Sequence, residues 1–261
     1  MTTPVFSPVG RYRAAIAELP ATTSVADSPD GAIVVVDGAG SWWQEALRAT
    51  DSGAVGVLVS APGPAPTNAL DRLAGIPIVL ERKLFRADVA GDALAAPVGD
   101  PAAVVAECHA PRQALAAALR DALAWARLFA GAPLALRTPE FSGARGVALL
   151  AAGDAASVSL VVGASAGAPP AGRLRVTTLG ETRAELEADD RDVRFAVTDA
   201  SSRRVSPTRF ERPERLALRR LVAALEARET PSDLADYTRD SALAEAILHS
   251  PASSSAAAFT S

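Results

Sequence analysis

Residues 32–62, AIVVVDGAGSWWQEALRATDSGAVGVLVSAP, constrain the fold more than any other stretch of the chain. Ala32 to Val36 is an unbroken apolar run, largely β-branched, the pattern of a parallel strand covered on both faces. Gly38 and Gly40 permit a tight turn, and Ser41 with Gln44 has the spacing of a capping box that opens a short helix through Ala49. Asp51-Ser52-Gly53 ends that helix, and Val55 to Ser60 reads as a second buried strand. Strand, crossover helix and strand in this order form a right-handed βαβ unit, so the first half is α/β.

The 261 residues suffice for one large or two modest domains with a sizeable core. A net charge of −4, with both signs spread along the chain, gives no basic footprint for nucleic acid and no polybasic membrane patch. Cys108 is the only cysteine, which excludes an intrachain disulfide. No signal-peptide pattern opens the chain and no run reaches membrane-spanning length, so a soluble cytoplasmic protein is expected. Lys83 is the only lysine, and any lysine chemistry must use it.

Either side of the βαβ unit the elements are short. Residues 10–19 read as a helix ended by Pro20, 21–25 as a short strand, 68–74 as a helix closed by Gly75, and 76–80 as a strand that Pro77 places at a start or an edge. The periodicity fades from 85 to 103, which sets an expected junction between a domain at 1–84 and one at 85–249; the low-complexity tail 250–261 reads as disordered. Pro111 begins the longest helical pattern, with Leu115, Leu119, Leu123 and Ala126 on one stripe and Gly131 at its end. Residues 134–210 alternate apolar and polar side chains in an antiparallel meander with one buried face, and two helices, 213–227 and 233–248, close the chain.

This layout resembles the glucose-fructose oxidoreductase / inositol dehydrogenase / rhizopine-catabolism (Gfo/Idh/MocA) family. Besides the stretch at 32–62, DALAWARLFAGAPLALRT looks like the family's helix that leads into an open sheet, and RLALRRLVAALEARETPSDLADYTRDSALAEAILHS looks like its closing helices. The resemblance implies a truncated Rossmann-like parallel sheet followed by an α+β domain with an open, mainly antiparallel sheet. Family members usually begin with a strand and a glycine-rich turn that hold the pyrophosphate of NAD(P) at a helix N-terminus. Here that opening βαβ portion is expected to be missing. The nearest substitute, Gly38, Gly40 and Ser41, runs into Trp42 and Trp43 and has no acidic residue about 20 positions on.

The family's chemistry implies a lysine in a Glu-Lys-Pro motif and a histidine on the following helix. Ser60-Ala61-Pro62 occupies the motif in one register and Glu81-Arg82-Lys83 in the other; neither restores it. The position matching the histidine falls near Asp121, whose ordinary alternative is a solvated partner of Arg120 or Arg127. Cys108 and His109 are adjacent on a strand, so their side chains point to opposite faces and make neither a nucleophile pair nor, with His249, a metal site.

The expected function is therefore that of a non-catalytic structural or regulatory subunit, a degenerate relative without NAD(P). It would associate with itself or with a catalytic relative through the sheet face that carries Arg173, Arg175 and Arg194. One alternative is an active NAD(P)-dependent oxidoreductase on a sugar or polyol, using Lys83 or Asp121. Another is a sensor holding a sugar-like ligand against Trp42 and Trp43, at the carboxyl edge of the parallel sheet.

Overall fold

The computed structural model describes residues 2–96, 98–153 and 156–250. In chain order its elements are β1 (Thr3–Phe6), α1 (Gly10–Ala17), β2 (Thr23–Val25), β3 (Ile33–Asp37), α2 (Trp42–Asp51), β4 (Gly56–Ser60), α3 (Thr67–Asp71), β5 (Ile78–Glu81), α4 (Ala87–Ala95) and β6 (Ala103–Ala110). A 3-10 turn at Arg112–Ala114 leads into α5 (Leu115–Ala130), then β7 (Leu134–Ser142), β8 (Arg145–Ala152), β9 (Ala156–Ala164), β10 (Arg173–Leu179), β11 (Arg183–Ala188), β12 (Val193–Thr198), β13 (Arg203–Val205), α6 (Pro213–Ala227) and α7 (Asp233–Leu248). The chain divides into two compact units: residues up to Asp88 with Arg209–Arg239, and Val89–Thr208 with the segment from Asp240 onward.

The first unit is built on a five-stranded parallel sheet in the order β2-β1-β3-β4-β5. Its central strands are buried on both sides, as their unbroken apolar runs require. On one face Val34, Val36, Val57, Val59 and Leu80 pack with Trp42, Ala46, Leu73 and Tyr237. On the other, Val5, Ile33, Val35, Leu58 and Val79 pack with Tyr12, Ile16, Leu218 and Leu221. β5 begins one residue after Pro77 and lies at the sheet edge.

Two expectations are corrected here. The opening βαβ portion is present: β1 pairs in parallel with β2 (Val5↔Val25) and with β3 (Val5↔Ile33), and α1 connects β1 to β2. Helix α6 does not belong with the open-sheet unit; its Leu218, Leu221 and Val222 seal the second face of the parallel sheet. The tail expected to be disordered lies, after Ser250, outside the described residues.

The second unit carries an eight-stranded sheet in the order β13-β12-β11-β10-β6-β9-β8-β7, antiparallel except for the β6–β9 pair. Val104, Ala106, Cys108 and Ala110 are buried on one face of β6, while Glu107 and His109 on the other are exposed. α5 packs along the buried face and ends at Gly131, whose φ of 64° provides the left-handed cap expected of a glycine there. Trp125, Phe129 and Phe195 form a run of aromatic contacts, with ring centroids 6.2 and 5.9 Å apart.

Candidate functional site

The carboxyl edge of the parallel sheet is where ligands of such folds bind. β1 ends at Phe6 and α1 begins at Gly10, so Ser7, Val9 and Tyr12 take the first, third and sixth places of the connecting turn. In a dinucleotide-binding turn these places hold small residues, for the tight bend, for backbone approach to the pyrophosphate and for helix–strand packing. Here the third carries an isopropyl group. The sixth carries a phenol with no solvent exposure. Asp27, twenty residues beyond Ser7, stands exposed just after β2, where an acid would meet a ribose. Sequence reasoning missed these residues because it did not recognise the strand before them.

Tyr12 projects from the first turn of α1 into a buried polar cluster. Its hydroxyl donates to Glu81 Oε2 at 3.0 Å, and the Ser60 hydroxyl donates to the same oxygen. Arg11 Nη2 donates to Ser60 Oγ, and its guanidinium lies 3.8 Å from Glu81 and 3.4 Å from Glu214 of α6. Burial, and then the charge of Glu81, push the Tyr12 phenol far above its ordinary range, so it stays a neutral donor. Ser60 and Glu81 are register partners at the carboxyl ends of β4 and β5. Both candidate Glu-Lys-Pro segments therefore start at the same edge.

The loop after Ser60 is tied down by backbone and aromatic groups. Ala61 has φ of 52° and donates its N–H to Glu81 O at 2.8 Å. Gly38 donates to Ser60 O at 2.7 Å and accepts from Gly63 N at 2.8 Å; a Cβ there would collide with the Ser60 and Ala61 carbonyls. Trp42 Nε1 and the Tyr237 hydroxyl both donate to Gly63 O, at 2.8 and 2.5 Å, with their rings edge-to-face at 6.1 Å. Gly38 thus serves close chain packing, and Gly40, at φ 56°, a left-handed turn. Ser41 precedes α2 without a side-chain cap bond, so the expected capping box does not form; its ψ of 47° is not the extended value that aims a cap hydroxyl at the helix.

Trp42 is fully buried and offers no stacking surface, while Trp43 is half-buried, packed edge-on against it at 6.4 Å. Arg82 is buried with its guanidinium over Phe85, 5.2 Å from the ring centroid, and Lys83 is exposed.

In the second unit Asp121 is buried rather than solvated, and Arg127 pairs with Asp240 at 3.2 Å. Burial first, and the Asp121 charge second, push the Cys108 thiol up to about 12. Cys108 and His109 face opposite sides of β6, and the His249 ring meets Glu245 O at 2.9 Å. On the open face Arg173 pairs with Asp189 (3.6 Å), Arg175 with Glu185 and Glu187 (3.3 and 3.5 Å), and Arg194 with Asp192 (3.1 Å). No described helix is long and apolar enough to cross a membrane.

The opening turn departs from the small-residue pattern of a dinucleotide-binding turn. Val9 and Tyr12 stand where glycine or alanine is needed, and the Tyr12 ring is part of the core.

No family model and no curated protein matches the sequence. Solved structures do match. UDP-N-acetylglucosamine 3-dehydrogenase GnnA from Acidithiobacillus ferrooxidans aligns with a TM-score of 0.70 at 14% identity, over 96% of this chain and 99% of that one. KijD10, a 3-ketoreductase from Actinomadura kijaniata in complex with TDP-benzene and NADP, aligns with a TM-score of 0.68 at 15% identity, over 97% and 98%. At these identities the likeness is one of architecture: the chain shares the fold of the two enzymes over nearly its whole length.

Proposed function

We propose that this protein is a non-catalytic relative of the sugar oxidoreductases, without NAD(P) binding, that acts as a structural or regulatory subunit. The observation that carries the reading is Tyr12, buried at the sixth place of the opening turn and hydrogen-bonded to Glu81. A second support is the place of the family's lysine, which falls on Ala61 in one register of the resemblance and on Arg82 in the other, neither of them a lysine. The partner is a second copy or a catalytic relative, and the contact surface is the sheet face of Arg173, Arg175 and Arg194.

A thermal-shift titration with NAD⁺, NADH, NADP⁺ and NADPH tests the reading, because a ligand at about a hundred times its dissociation constant stabilises a fold by roughly 2.7 kcal/mol. The expected result is no shift, together with a defined oligomer in sedimentation velocity that Arg175→Glu dissociates. A shift with any of the four overturns it. That outcome would favour an active NAD(P)-dependent oxidoreductase on a sugar or polyol, the reading for which the exposed Asp27 after β2 speaks.

A further inference from the structure

In the second unit the ladders sort the open face of the eight-stranded sheet into rows that run across the strands. One row reads Arg194, Glu187, Arg175, Glu107, Val161 and Val147 from β12 to β8. The next has Glu185 and Thr177 on β11 and β10, then Val105, Ser159 and Leu149 on β6, β9 and β8. The face therefore has two halves, one charged and one apolar, that meet along β6. On the apolar half Val161, Val147 and Leu149 are 38%, 49% and 53% exposed, and Val105 is partly buried beside them.

On the charged half Arg173, Arg175, Arg183 and Arg194 each pair with a carboxylate of the same sheet. Their charge is largely spent within the chain, whereas the open valines and leucine still gain by leaving water. The extent of the face matters too. Its seven longer strands have six to nine residues each. At about 4.8 Å between strands and about 3.3 Å per residue they span roughly 700–1,000 Å². A standard stable interface takes about 800 Å² from each partner, so this face is large enough for one.

Resting on the reading above that this face is the subunit contact, we propose that its partner is a second copy of the chain, related by a two-fold axis that lies in the plane of the face and runs across its strands. A two-fold interface sets one patch against itself, and a second copy carries a matching apolar half by necessity. Two in-plane axes through the middle of the face have to be compared. An axis along the strands reverses their order and lays β8 over β11, so Val147 and Leu149 would meet Glu185 and Glu187 of the second copy. An axis across the strands lays each strand over its own copy. The apolar half then meets the apolar half, and charges already paired within one chain meet the same arrangement in the other. Val105, Val147, Leu149 and Val161 form the core of that contact, and the arginines form its rim.

The test is sedimentation velocity on the full chain over a range of concentrations, beside Leu149→Arg, Arg175→Glu and Val147→Cys. The expected result is a dimer whose dissociation constant Leu149→Arg raises by at least about a hundredfold. Leu149 is exposed, so the fold tolerates the change. Val147→Cys should be joined to its own copy by a short bismaleimide, because the axis across the strands holds the two β8 strands at about the 10 Å spacing of packed sheets. The other axis would set them about 19 Å apart sideways as well. Cys108 is buried and leaves the unsubstituted chain unlinked. A dimer that Arg175→Glu dissociates and Leu149→Arg does not, or one in which Val147→Cys does not cross-link, would overturn this inference and leave the sheet face as the contact. A chain that stays monomeric would overturn the second copy as partner. A dimer that neither substitution dissociates would overturn the sheet face itself, and this inference with it.

Discussion

Tyr12, in the first turn of α1, holds Glu81 at the end of β5 through a 3.0 Å hydrogen bond that is sealed from solvent. Tyr12→Phe keeps the ring in the core and removes only the donor. A hydrogen bond to a charged acceptor contributes about 1.5–3 kcal/mol. Urea denaturation of Tyr12→Phe should show that loss with an unchanged slope. A loss near zero would mean that Ser60 and Arg11 satisfy Glu81 without it.

Trp42 separates packing from hydrogen bonding in the same unit. Trp42→Phe leaves Gly63 O its bond from Tyr237 and should cost about 1 kcal/mol, whereas Trp42→Ala should cost about 3–5 kcal/mol through the cavity it leaves. Neither change should alter a response to added sugars, since Trp42 has no exposed face. Sugar-dependent quenching lost in Trp42→Phe would contradict this.

The thiol of Cys108 should resist alkylation in the native protein at pH 8 and react on unfolding. Its ionisation is pushed from 9.0 to about 12, so below pH 9.0 both folded and unfolded chains hold the neutral thiol and its contribution to stability is intact. As pH rises from 9.0 towards about 12 the unfolded chain alone ionises, and that contribution is lost. Asp121→Asn removes one of the two causes and should lower the midpoint, read by thiolate absorbance. Lys83→Ala, on an exposed side chain, should change stability by no more than about 0.5 kcal/mol.

Asp199, in the β12–β13 turn, accepts hydrogen bonds from the hydroxyl and amide of Ser201 and from the amide of Ser202. Those bonds, led by the Ser201 hydroxyl, draw its carboxyl from 3.8 down to about 2. Whatever the turn gains from the carboxylate is present above pH 3.8 and fades as pH falls through about 2. The amide shifts of Ser201 and Ser202 should titrate with a midpoint near the lower value, and a midpoint near 3.8 would contradict the geometry.

Elements that bury a long stripe or an unbroken run were legible in the sequence: β3, α2 and β4 from their apolar pattern, α5 from its leucines and Gly131, and α6 at the bounds expected for it. β1 was not, because four residues including Pro4 make no pattern; its place in the sheet is fixed by the ladders of β2 and β3 on either side. α4 escaped because alanine and glycine give too little contrast between its faces. The parallel β6–β9 pair was hidden for another reason: alternation along a strand reports which side is buried and nothing about the direction of its neighbour. At the candidate site the departure from the Glu-Lys-Pro pattern was readable and the buried polar cluster was not. Ala61 and Arg82, the two candidates for the lysine place, stand in the sequence, but the cluster of Arg11, Tyr12, Ser60, Glu81 and Glu214 joins four separate segments that only the fold brings together.

The position of β6 between β9 and β10 bears on synthesis at the ribosome. β6 is the first strand of its sheet to emerge, yet both strands that flank it are translated later. α5 follows directly and can cover Val104, Ala106 and Cys108, but it leaves the backbone amides and carbonyls along both edges of β6 bare. A nascent chain that has emerged from the ribosome past Ala130 but not yet as far as Ala156 would present that strand as a template to its neighbours, so pausing at that stage is where co-translational aggregation should begin.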